Sequence, residues 1–436
     1  MWQWCSSGSK EGEMKVEIPY GRGHLTFEHS NINRIVESRI SDMTSNMAQN
    51  DLVLAAMAAP IGSEPLYKLA EGKKTAVIII SDHTRPVPSK VIIPHMLRQM
   101  REGNPEIDIT LLVATGCHRG TEKQELIAKL GEDIVAGEKI VVHDCDDEPN
   151  LVSLGTLPSG AELIVNKLAA ECDLLVAEGF IEPHFFAGFS GGRKSILPGI
   201  CSRRTVLGNH CSEFIDHPKA RMGVLDGNPI HRDMEAAVRM AGLDYIVNVI
   251  VDSEKKAVAA FAGDPVSAHR KGCDFLMEYC SVPVGEKAGI VVTSNGGAPL
   301  DQNAYQAVKG MTTAEAFAED GGVIIICAEC SDGMGGDVFY EKMARCESLE
   351  SLMAEIMATP MDETVPDQWQ YQILVRIMQK MHVIVVCDER IAPQIKEMKL
   401  DWAATIEEAA ARALKIKGED CAITVIPDGV SVIGKE

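Results

Sequence analysis

The sequence predicts an α/β protein with two Rossmann-like α/β domains, each built on a parallel-rich sheet. Three observations lead to this prediction. The chain has 436 residues, which is more than one hydrophobic core usually supports. Runs of β-branched residues recur without polar alternation, as in strands that are buried on both faces. Helical segments separate those runs, and this alternation favours parallel strands covered by helices.

The elements are predicted in chain order from the spacing of the apolar residues. Residues 15–29 alternate around two glycines and predict a β-hairpin, and residues 31–57 are expected to be partly helical. Further strands are predicted at 75–80, 109–113, 139–142, 172–177, 243–251, 257–262, 288–293, 323–327, 383–387 and 422–426. Helices are predicted at 90–100, 121–130, 265–279, 337–345, 348–357 and 369–379.

The domain boundaries are predicted from the points where this alternation stops and restarts. Residues 14–280 are expected to form an N-terminal α/β domain and residues 286–412 a C-terminal α/β domain, joined by a segment at 281–287 that contains proline and glycine. The tail, residues 413–436, is expected to pack back on the N-terminal domain. Residues 1–13 are interpreted as an extension or a misassigned start.

Composition excludes several classes of partner. There are 42 basic and 63 acidic residues, and the net charge of −21 repels nucleic-acid phosphates and anionic lipid. The sequence contains no apolar run long enough to span a bilayer and no signal-peptide core. The 13 cysteines are odd in number and lie mostly in apolar runs, which is typical of reduced, buried thiols. We therefore expect a cytoplasmic protein without nucleic-acid or membrane partners.

Polar residues follow three of the predicted strands in the first half of the chain. Parallel strands bring their carboxyl ends to one edge of a sheet, so these residues are expected to face a common active-site cleft, located between the two domains. His118 follows a strand and a glycine, and His184 follows Pro183, so both lie on constrained loops where binding residues concentrate. The residues in the three clusters are Asp82, Thr84, Arg85, Thr115, His118, Arg119, Glu182, His184, Lys194 and His210.

Two further features of the first half indicate anion or covalent chemistry. Two prolines after Arg85 fix a turn before a helix, whose first N–H groups favour a phosphate or carboxylate. The run GFSGGRKS at 188–195 nearly matches a nucleotide-binding P-loop, but Arg193 stands where that loop needs glycine, so triphosphate binding is rejected. Lys194 remains as a nucleophile or covalent anchor, or as a simple charge partner for phosphate.

The second half carries a candidate carboxylate clamp. Gln306 and Lys309 are three residues apart and share one helical face after a glycine-rich turn; a solvated polar face is the alternative. Trp369 begins an amphipathic helix and either packs in the core or covers a small ligand. Cys327 and Cys330 form a single CxxC without the second pair of a zinc site. The sequence also contains no GxGxxG after a strand, which weakens a dehydrogenase interpretation.

Several motifs together resemble the lactate racemase family, whose members use a nickel-pincer nucleotide. The resemblance runs in order and spacing from about residue 14 to residue 369. The motifs are SDHTRP at 81–86, ATGCHRG at 114–120, EPHFFAGFSGGRKSILPG at 182–199, GNH at 208–210 and YQAVKG at 305–310.

The resemblance implies roles for individual residues. Lys194 would form the covalent thioamide link to the pyridinium-bisthiocarboxylate cofactor, and His210 would be the protein ligand to Ni(II). His118 and His184 would be the paired acid/base residues. Cofactor contacts are implied for Asp82, His83, Thr84 and Arg85, and substrate contacts for Arg85, Gln306, Lys309 and Trp369.

The implied activity is racemisation or epimerisation at C2 of a 2-hydroxy acid, lactate or a relative. The resemblance implies reversible hydride transfer to the cofactor through a 2-keto acid, and maturation by the enzymes that make the cofactor. Two other classes remain open from the residues alone. One is a conventional metal-dependent lyase or hydrolase of a carboxylate, and the other is a non-catalytic cofactor carrier.

Overall fold

The computed structural model describes residues 14–252 and 254–436; the interpretation of residues 1–13 lies outside these residues. The strands are β1 (Met14–Tyr20), β2 (Gly23–His29), β3 (Ile32–Ile35), β4 (Thr75–Ser81), β5 (Asp108–Ala114), β6 (Lys139–Val142), β7 (Leu151–Thr156), β8 (Glu162–Asn166), β9 (Leu174–Phe180), β10 (Pro183–His184), β11 (Gly188–Phe189), β12 (Leu243–Val251), β13 (Ala257–Gly263), β14 (Ser281–Pro283), β15 (Ala288–Ser294), β16 (Ala318–Cys327), β17 (His382–Val386), β18 (Asp401–Ala403), β19 (Ile423–Ile426) and β20 (Ile433–Lys435).

The α-helices complete the described elements. They are α1 (Gln49–Ala58), α2 (Leu66–Leu69), α3 (Ser89–Gly103), α4 (Lys123–Leu130), α5 (Glu132–Gly137), α6 (Lys167–Glu171), α7 (Arg203–Asn209), α8 (Ser212–Asp216), α9 (Pro229–Ala241), α10 (Ser267–Cys280), α11 (Ala304–Phe317), α12 (Asp337–Arg345), α13 (Leu349–Ala358), α14 (Gln368–Met378), α15 (Ala392–Glu397) and α16 (Ile406–Lys417). The predicted parallel-rich α/β class is confirmed.

The chain divides into two compact units. We call residues 39–279 and 360–364 the N-unit, and residues 14–38, 280–359 and 365–436 the C-unit. The N-unit sheet has the order β13-β12-β9-β4-β5-β6, in which only β13 is antiparallel to its neighbour. The C-unit sheet has the order β18-β17-β16-β15-β19-β3 and is parallel throughout.

The expectation for the tail is wrong. The strand β19 lies between β15 and β3 in the C-unit sheet, and β20 pairs with β14, so residues 413–436 belong to the C-unit. All four residues of β19 are buried, because a strand inside a parallel sheet is covered on both faces. The hairpin of β1 and β2 is confirmed, but it too belongs to the C-unit rather than to the expected N-terminal domain.

Two local predictions also need correction. Residues 31–57 were expected to be partly helical; the first part forms β3, and the helix begins only at Gln49. The expected linker at 281–287 includes β14, which is held by parallel pairing with β20. Both short strands gain their conformation from a distant partner, because strand pairing overrides weak local preference.

The order of the N-unit sheet positions its functional residues. The chain passes from β4 to β5 and β6 on one side, and then to β9 and β12 on the other side. The crevice beyond the carboxyl ends of β4 and β9 is therefore a topological switch point, where open α/β sheets bind ligands. Leu111, Ile78 and Val176 are fully buried in the strands that support this edge. Among the described residues, none of the helices has the length and apolarity needed to cross a membrane.

Candidate active site

Asp82 and His118 meet at the carboxyl edge of β4 and β5. Asp82 is only 1% exposed, and its Oδ2 lies 2.7 Å from Nδ1 of His118. The hydroxyl of Thr84 donates to the other carboxylate oxygen at 2.7 Å. Burial would raise the pKa of Asp82, but the hydrogen bond and charge of His118, together with Thr84 and Arg85, hold that pKa below its usual value. An ionised Asp82 only accepts, so Nδ1 of His118 is the donor, and whenever the ring is neutral its lone pair lies on Nε2.

This pairing was missed by the sequence analysis, which assigned Asp82 a cofactor contact alone. The two residues are 36 positions apart, and no local pattern links them. The available signal was that each follows one of two adjacent strands, β4 and β5, whose ends coincide in register at Ser81 and Ala114.

A carboxyl group of the chain itself lies at the start of α3, and the phosphate or carboxylate predicted to bind the first N–H groups of that helix stays a prediction. Glu178 of β9 is 1% exposed, and its Oε1 accepts from the hydroxyl of Ser89 at 2.7 Å and from the hydroxyl of Ser81 at 3.1 Å. Ser89 is the first residue of α3. The nearby Arg85 is exposed, and its carbonyl accepts from Nζ of Lys129 at 3.1 Å. The predicted contacts of the Arg85 guanidinium with ligands stay predictions.

His83 is held between the β4 loop and the start of α4. Its Nδ1 lies 3.1 Å from the hydroxyl of Thr121 and 3.7 Å from the Glu125 carboxylate. Glu125 also pairs with Arg119 and completes a capping box at Glu122. The predicted helix near residue 121 is thus confirmed, but Glu122 provides its cap.

His184 is held by a hydrogen bond from a nearby main-chain N–H and by contacts with aromatic rings. The N–H of Ala187 donates to Nδ1 of His184 at 3.2 Å, within the short hairpin of β10 and β11. The imidazole stacks on Phe185, with ring centroids 5.1 Å apart, and meets Phe186 edge-on at 4.6 Å. Phe186 is also edge-on to His210, at 5.1 Å. A single phenylalanine therefore sets the spacing between two of the predicted site residues.

Lys194 lies on a turn that requires glycine. The 3₁₀ turn Gly192–Ser195 follows Gly191, whose φ is +83°. A Cβ on Gly191 would lie 2.6 Å from the Phe180 carbonyl and 2.8 Å from Asn248 Oδ1. That same Oδ1 accepts from the N–H of Gly192 at 2.8 Å. The glycine pair thus allows the turn to lie directly against the end of β9.

His210 is a buried, neutral imidazole beside Lys194. It caps the C-terminus of α7, and its Nδ1 donates to the Val206 carbonyl at 2.9 Å. Burial, with a further contribution from the positive charge of Lys194, lowers its pKa to about 3. The lone pair of the neutral ring therefore lies on Nε2, the form in which histidine binds metals.

The C-unit groups the remaining predicted residues around α11. Gln306 and Lys309 are both partly exposed on this helix. Asn303 caps the helix by accepting from the N–H of Gln306 at 3.0 Å. Trp369, at the start of α14, donates from Nε1 to the hydroxyl of Tyr305 at 3.0 Å. The helical spacing of the pair is confirmed, and the substrate contacts stay predictions.

Comparisons with known proteins agree with the motifs. The lactate racemase N-terminal domain family matches residues 20–223, and the lactate racemase C-terminal domain family matches residues 284–434. A lactate racemase from Thermoanaerobacterium thermosaccharolyticum is 52% identical over 423 residues, covering 97% of this chain and 99% of that protein. A lactate racemase from Lactiplantibacillus plantarum is 47% identical over 422 residues, covering 96% and 99%.

Solved structures give the same result. The lactate racemase apoprotein from Thermoanaerobacterium thermosaccharolyticum matches with a TM-score of 0.94, covering 97% of this chain and 100% of that chain. A crystal structure of a protein from Thermotoga maritima, 17% identical, matches with a TM-score of 0.63 over 89% of this chain and 99% of that chain, and shares the fold alone. The sequence matches extend over both halves of the chain at high identity, and the chain therefore belongs to the lactate racemase family and is an isomerase.

Proposed function

We propose that this chain interconverts the enantiomers of lactate or a closely related 2-hydroxy acid, using a nickel-pincer nucleotide that is covalently linked to Lys194. The observation that carries the proposal is the pair of Lys194 and His210. A lysine on a rigid glycine turn lies close enough to a buried imidazole for its charge to lower the pKa of that imidazole. Together the two side chains offer one amine for a covalent link and one donor for a metal.

The residues of this site fit such a group. His210 is neutral, with its lone pair on Nε2, and imidazole nitrogen is a suitable donor for Ni(II). Its Nδ1 is held by a main-chain carbonyl, which is the common way to orient a metal-binding histidine. When bound, the nickel-pincer nucleotide supplies the hydride acceptor that amino-acid side chains lack.

The two acid/base histidines handle the proton of the substrate hydroxyl. In the neutral form, His118 has an acceptor at Nε2 because its Nδ1 donates to Asp82, while His184 has a donor at Nε2 because its Nδ1 accepts from Ala187. For one enantiomer neutral His118 accepts the hydroxyl proton at Nε2 and the imidazolium form of His184 returns one, and for the other enantiomer neutral His184 accepts it and the imidazolium form of His118 returns one. Both of these forms of His184 carry a proton on Nδ1, so the hydrogen bond from Ala187 must open during turnover. Imidazole serves in both directions because its pKa lies near neutrality in general.

Contacts with the substrate carboxylate are proposed for Arg85, Gln306 and Lys309. A guanidinium, an amide and an ammonium together provide the donors that a carboxylate accepts. Trp369 is proposed to contact the substrate as an aromatic surface. Trp369 donates a hydrogen bond to Tyr305, which is next to Gln306 in the chain. This bond supports a common location for Trp369 and Gln306 within the C-unit.

The test uses protein co-expressed with the enzymes that make the cofactor. We expect an added mass on Lys194, stoichiometric nickel, and racemisation of lactate within a panel of 2-hydroxy acids. Lys194→Arg keeps the positive charge but should lose both the added mass and the activity. His118→Ala and His184→Ala should each keep the added mass and abolish racemisation, with about a 10³-fold loss or more.

The control is His95→Ala, which removes an imidazole from α3 that contacts Asn50 and should leave activity unchanged. Nickel without an added mass on Lys194 would favour a conventional metal-dependent lyase or hydrolase. An added mass without turnover of any hydroxy acid would favour a cofactor carrier. Either result would replace the proposed function.

A further inference from the structure

We propose that Arg193 is a positioning residue that orients His184 through the backbone of Ala187 and at the same time holds the turn that carries Lys194. This inference rests on the proposed roles of His184 and Lys194. Arg193 is the residue that breaks the P-loop pattern. Its side chain is 2% exposed, so it lies beneath the site rather than facing it.

The guanidinium of Arg193 donates to three groups in the N-unit and lies against a fourth, His269, whose Nε2 is also 2.9 Å from the Ser190 carbonyl. Nε donates to Nδ1 of His231 at 3.0 Å, and Nη2 donates to the Ala187 carbonyl at 2.6 Å. Nη1 lies 3.3 Å from the Gly191 carbonyl and 3.0 Å from Nε2 of His269. Burial lowers the pKa of Arg193 to about 10, which still leaves the group charged at neutral pH. The planar guanidinium group has five N–H donors in fixed directions and can hold several loops at once, whereas the ammonium group of a lysine cannot.

Ala187 connects Arg193 to His184. The carbonyl of Ala187 accepts from Arg193, and the N–H of the same residue donates to Nδ1 of His184. The carbonyl and the N–H belong to the two peptide groups that flank Ala187, and the group with the N–H is also held by Nδ2 of Asn228, which donates to the Phe186 carbonyl at 2.8 Å. Arg193 thus holds Ala187 from one side and, together with Asn228 on the other side, positions the N–H that decides which nitrogen of neutral His184 carries the proton.

The same guanidinium supports the turn before Lys194. The Gly191 carbonyl accepts from Nη1 of Arg193 and also from the N–H of Lys194, at 3.1 Å. Arg193 thus contacts the backbone on both sides of the site, at the His184 loop and at the Lys194 turn. The distance between these two functional side chains depends on one rigid group.

A histidine links the buried charge to a carboxylate. Because Nδ1 of His231 accepts from Arg193, its Nε2 carries the proton and faces Glu235 Oε1 at 3.2 Å. Burial lowers the pKa of His231 and keeps the ring neutral. The hydrogen bond from His231 lowers the pKa of Glu235. Glu235 is therefore the charge partner of Arg193 through an imidazole, which satisfies a buried cation without direct contact.

The test compares Arg193→Lys with a pair of variants at His231. Arg193→Lys keeps the charge but cannot hold Ala187 and His231 together. His231→Leu removes the acceptor for Nε, whereas His231→Gln offers an amide oxygen in its place and is the conservative rescue. Arg232→Gln, at an exposed position next to His231, is the matched control. If Arg193→Lys does not fold, the comparison of His231→Leu with His231→Gln still tests the proposal.

Two measurements separate positioning from stability. In apoprotein, long-range ¹H–¹⁵N spectra report the tautomer of His184, assigned by comparison with His184→Gln. In matured protein, racemisation is normalised to the added mass on Lys194. We expect Arg193→Lys and His231→Leu to mix the His184 tautomers and to lower kcat about tenfold or more with little change in KM, since a small misplacement of a catalytic group has effects of this size. His231→Gln and Arg232→Gln should stay near wild type in both measurements.

Other outcomes would overturn the proposal. If Arg193→Lys and His231→Leu lower only the unfolding temperature, and the tautomer and kcat are unchanged, Arg193 is merely structural. If the added mass is lost while the His184 tautomer stays fixed, the link to His184 is wrong. If wild-type protein acquires no added mass at all, the proposed function fails, but the tautomer measurement in apoprotein still decides the role of Arg193.

Discussion

His118 and His184 are held through the same ring atom in opposite senses. Nδ1 of His118 donates to the carboxylate of Asp82 at 2.7 Å, whereas Nδ1 of His184 accepts from the main-chain N–H of Ala187 at 3.2 Å. The surroundings differ as well. The His118 side chain is 45% exposed, whereas His184 packs against two phenylalanine rings.

This difference in the hydrogen bond at Nδ1 gives two identical side chains different neutral tautomers before substrate binds. A ring whose Nδ1 donates offers a lone pair at Nε2, and a ring whose Nδ1 accepts offers a proton there. A racemase needs one base and one acid in each turnover. In its neutral tautomer His118 has the lone pair at Nε2 that a base needs, whereas the Nε2–H of neutral His184 can only donate a hydrogen bond to a substrate oxygen until that ring is protonated.

The largest effect is expected from Asp82→Asn. Asparagine can present its amide N–H to Nδ1 of His118, which would favour the tautomer with the proton on Nε2 and make the two histidines alike. Replacing the carboxylate that orients a catalytic histidine lowers kcat in hydrolytic triads by a similar route, and we expect a loss of about 10³-fold here. The measurement is lactate racemisation normalised to the added mass on Lys194.

The matched control for that experiment is Asp144→Asn, an exposed carboxylate just after the neighbouring strand β6. It should leave the rate unchanged. A fully active Asp82→Asn protein would mean that Asp82 does not set the tautomer of His118, and that its pairing with His118 is only structural.

How much of this site the sequence predicts depends on the kind of contact. The strand ends and the glycine pair follow from local patterns, whereas the roles of Lys194 and His210 are implied by the resemblance of the surrounding motifs to the lactate racemase family. The pairing of Asp82 with His118 needs the order of β4 and β5 in the sheet, and the link from Arg193 through Ala187 needs the path of a loop. Neither is encoded in spacing along the chain.

The tail shows the same limit at the level of the fold. The strand β19 is a four-residue apolar run that is buried on both faces, and such a run would fit either parallel sheet. Its position is set by pairing with β15 on one side and with β3 on the other. That information lies in the packing of the whole unit, so the strand could be predicted but its unit could not.

A smaller effect is expected from Phe186→Leu. Phe186 is 3% exposed and lies edge-on to both His184 and His210. A leucine would therefore weaken the aromatic packing around His184 and leave the contacts of His118 unchanged. We expect kcat to fall about tenfold through misplacement of His184, and unfolding free energy to fall by roughly 1–2 kcal/mol. Phe214→Leu, a buried phenylalanine of α8, should cost similar stability but keep the rate. Equal rates in the two variants would show that Phe186 only fills space.

The smallest effect concerns stability, and it tests whether Asp82 is ionised in the folded protein. Its folded pKa lies below the unfolded value, so its contribution is present above about pH 4 and is lost as pH falls through the folded pKa. Asp82→Asn should therefore lower the free energy of unfolding by roughly 1–2 kcal/mol at pH 7, where a charged hydrogen bond is replaced by a neutral one. The difference from wild type should shrink below about pH 4, as measured by urea unfolding of apoprotein followed by circular dichroism. A difference that stayed constant down to pH 3 would mean that the pKa of Asp82 is the same in the folded and unfolded protein. A wild-type stability that rose relative to the variant as pH fell from 7 would mean that Asp82 is neutral when folded, and the tautomer assigned to His118 would then lose its physical basis.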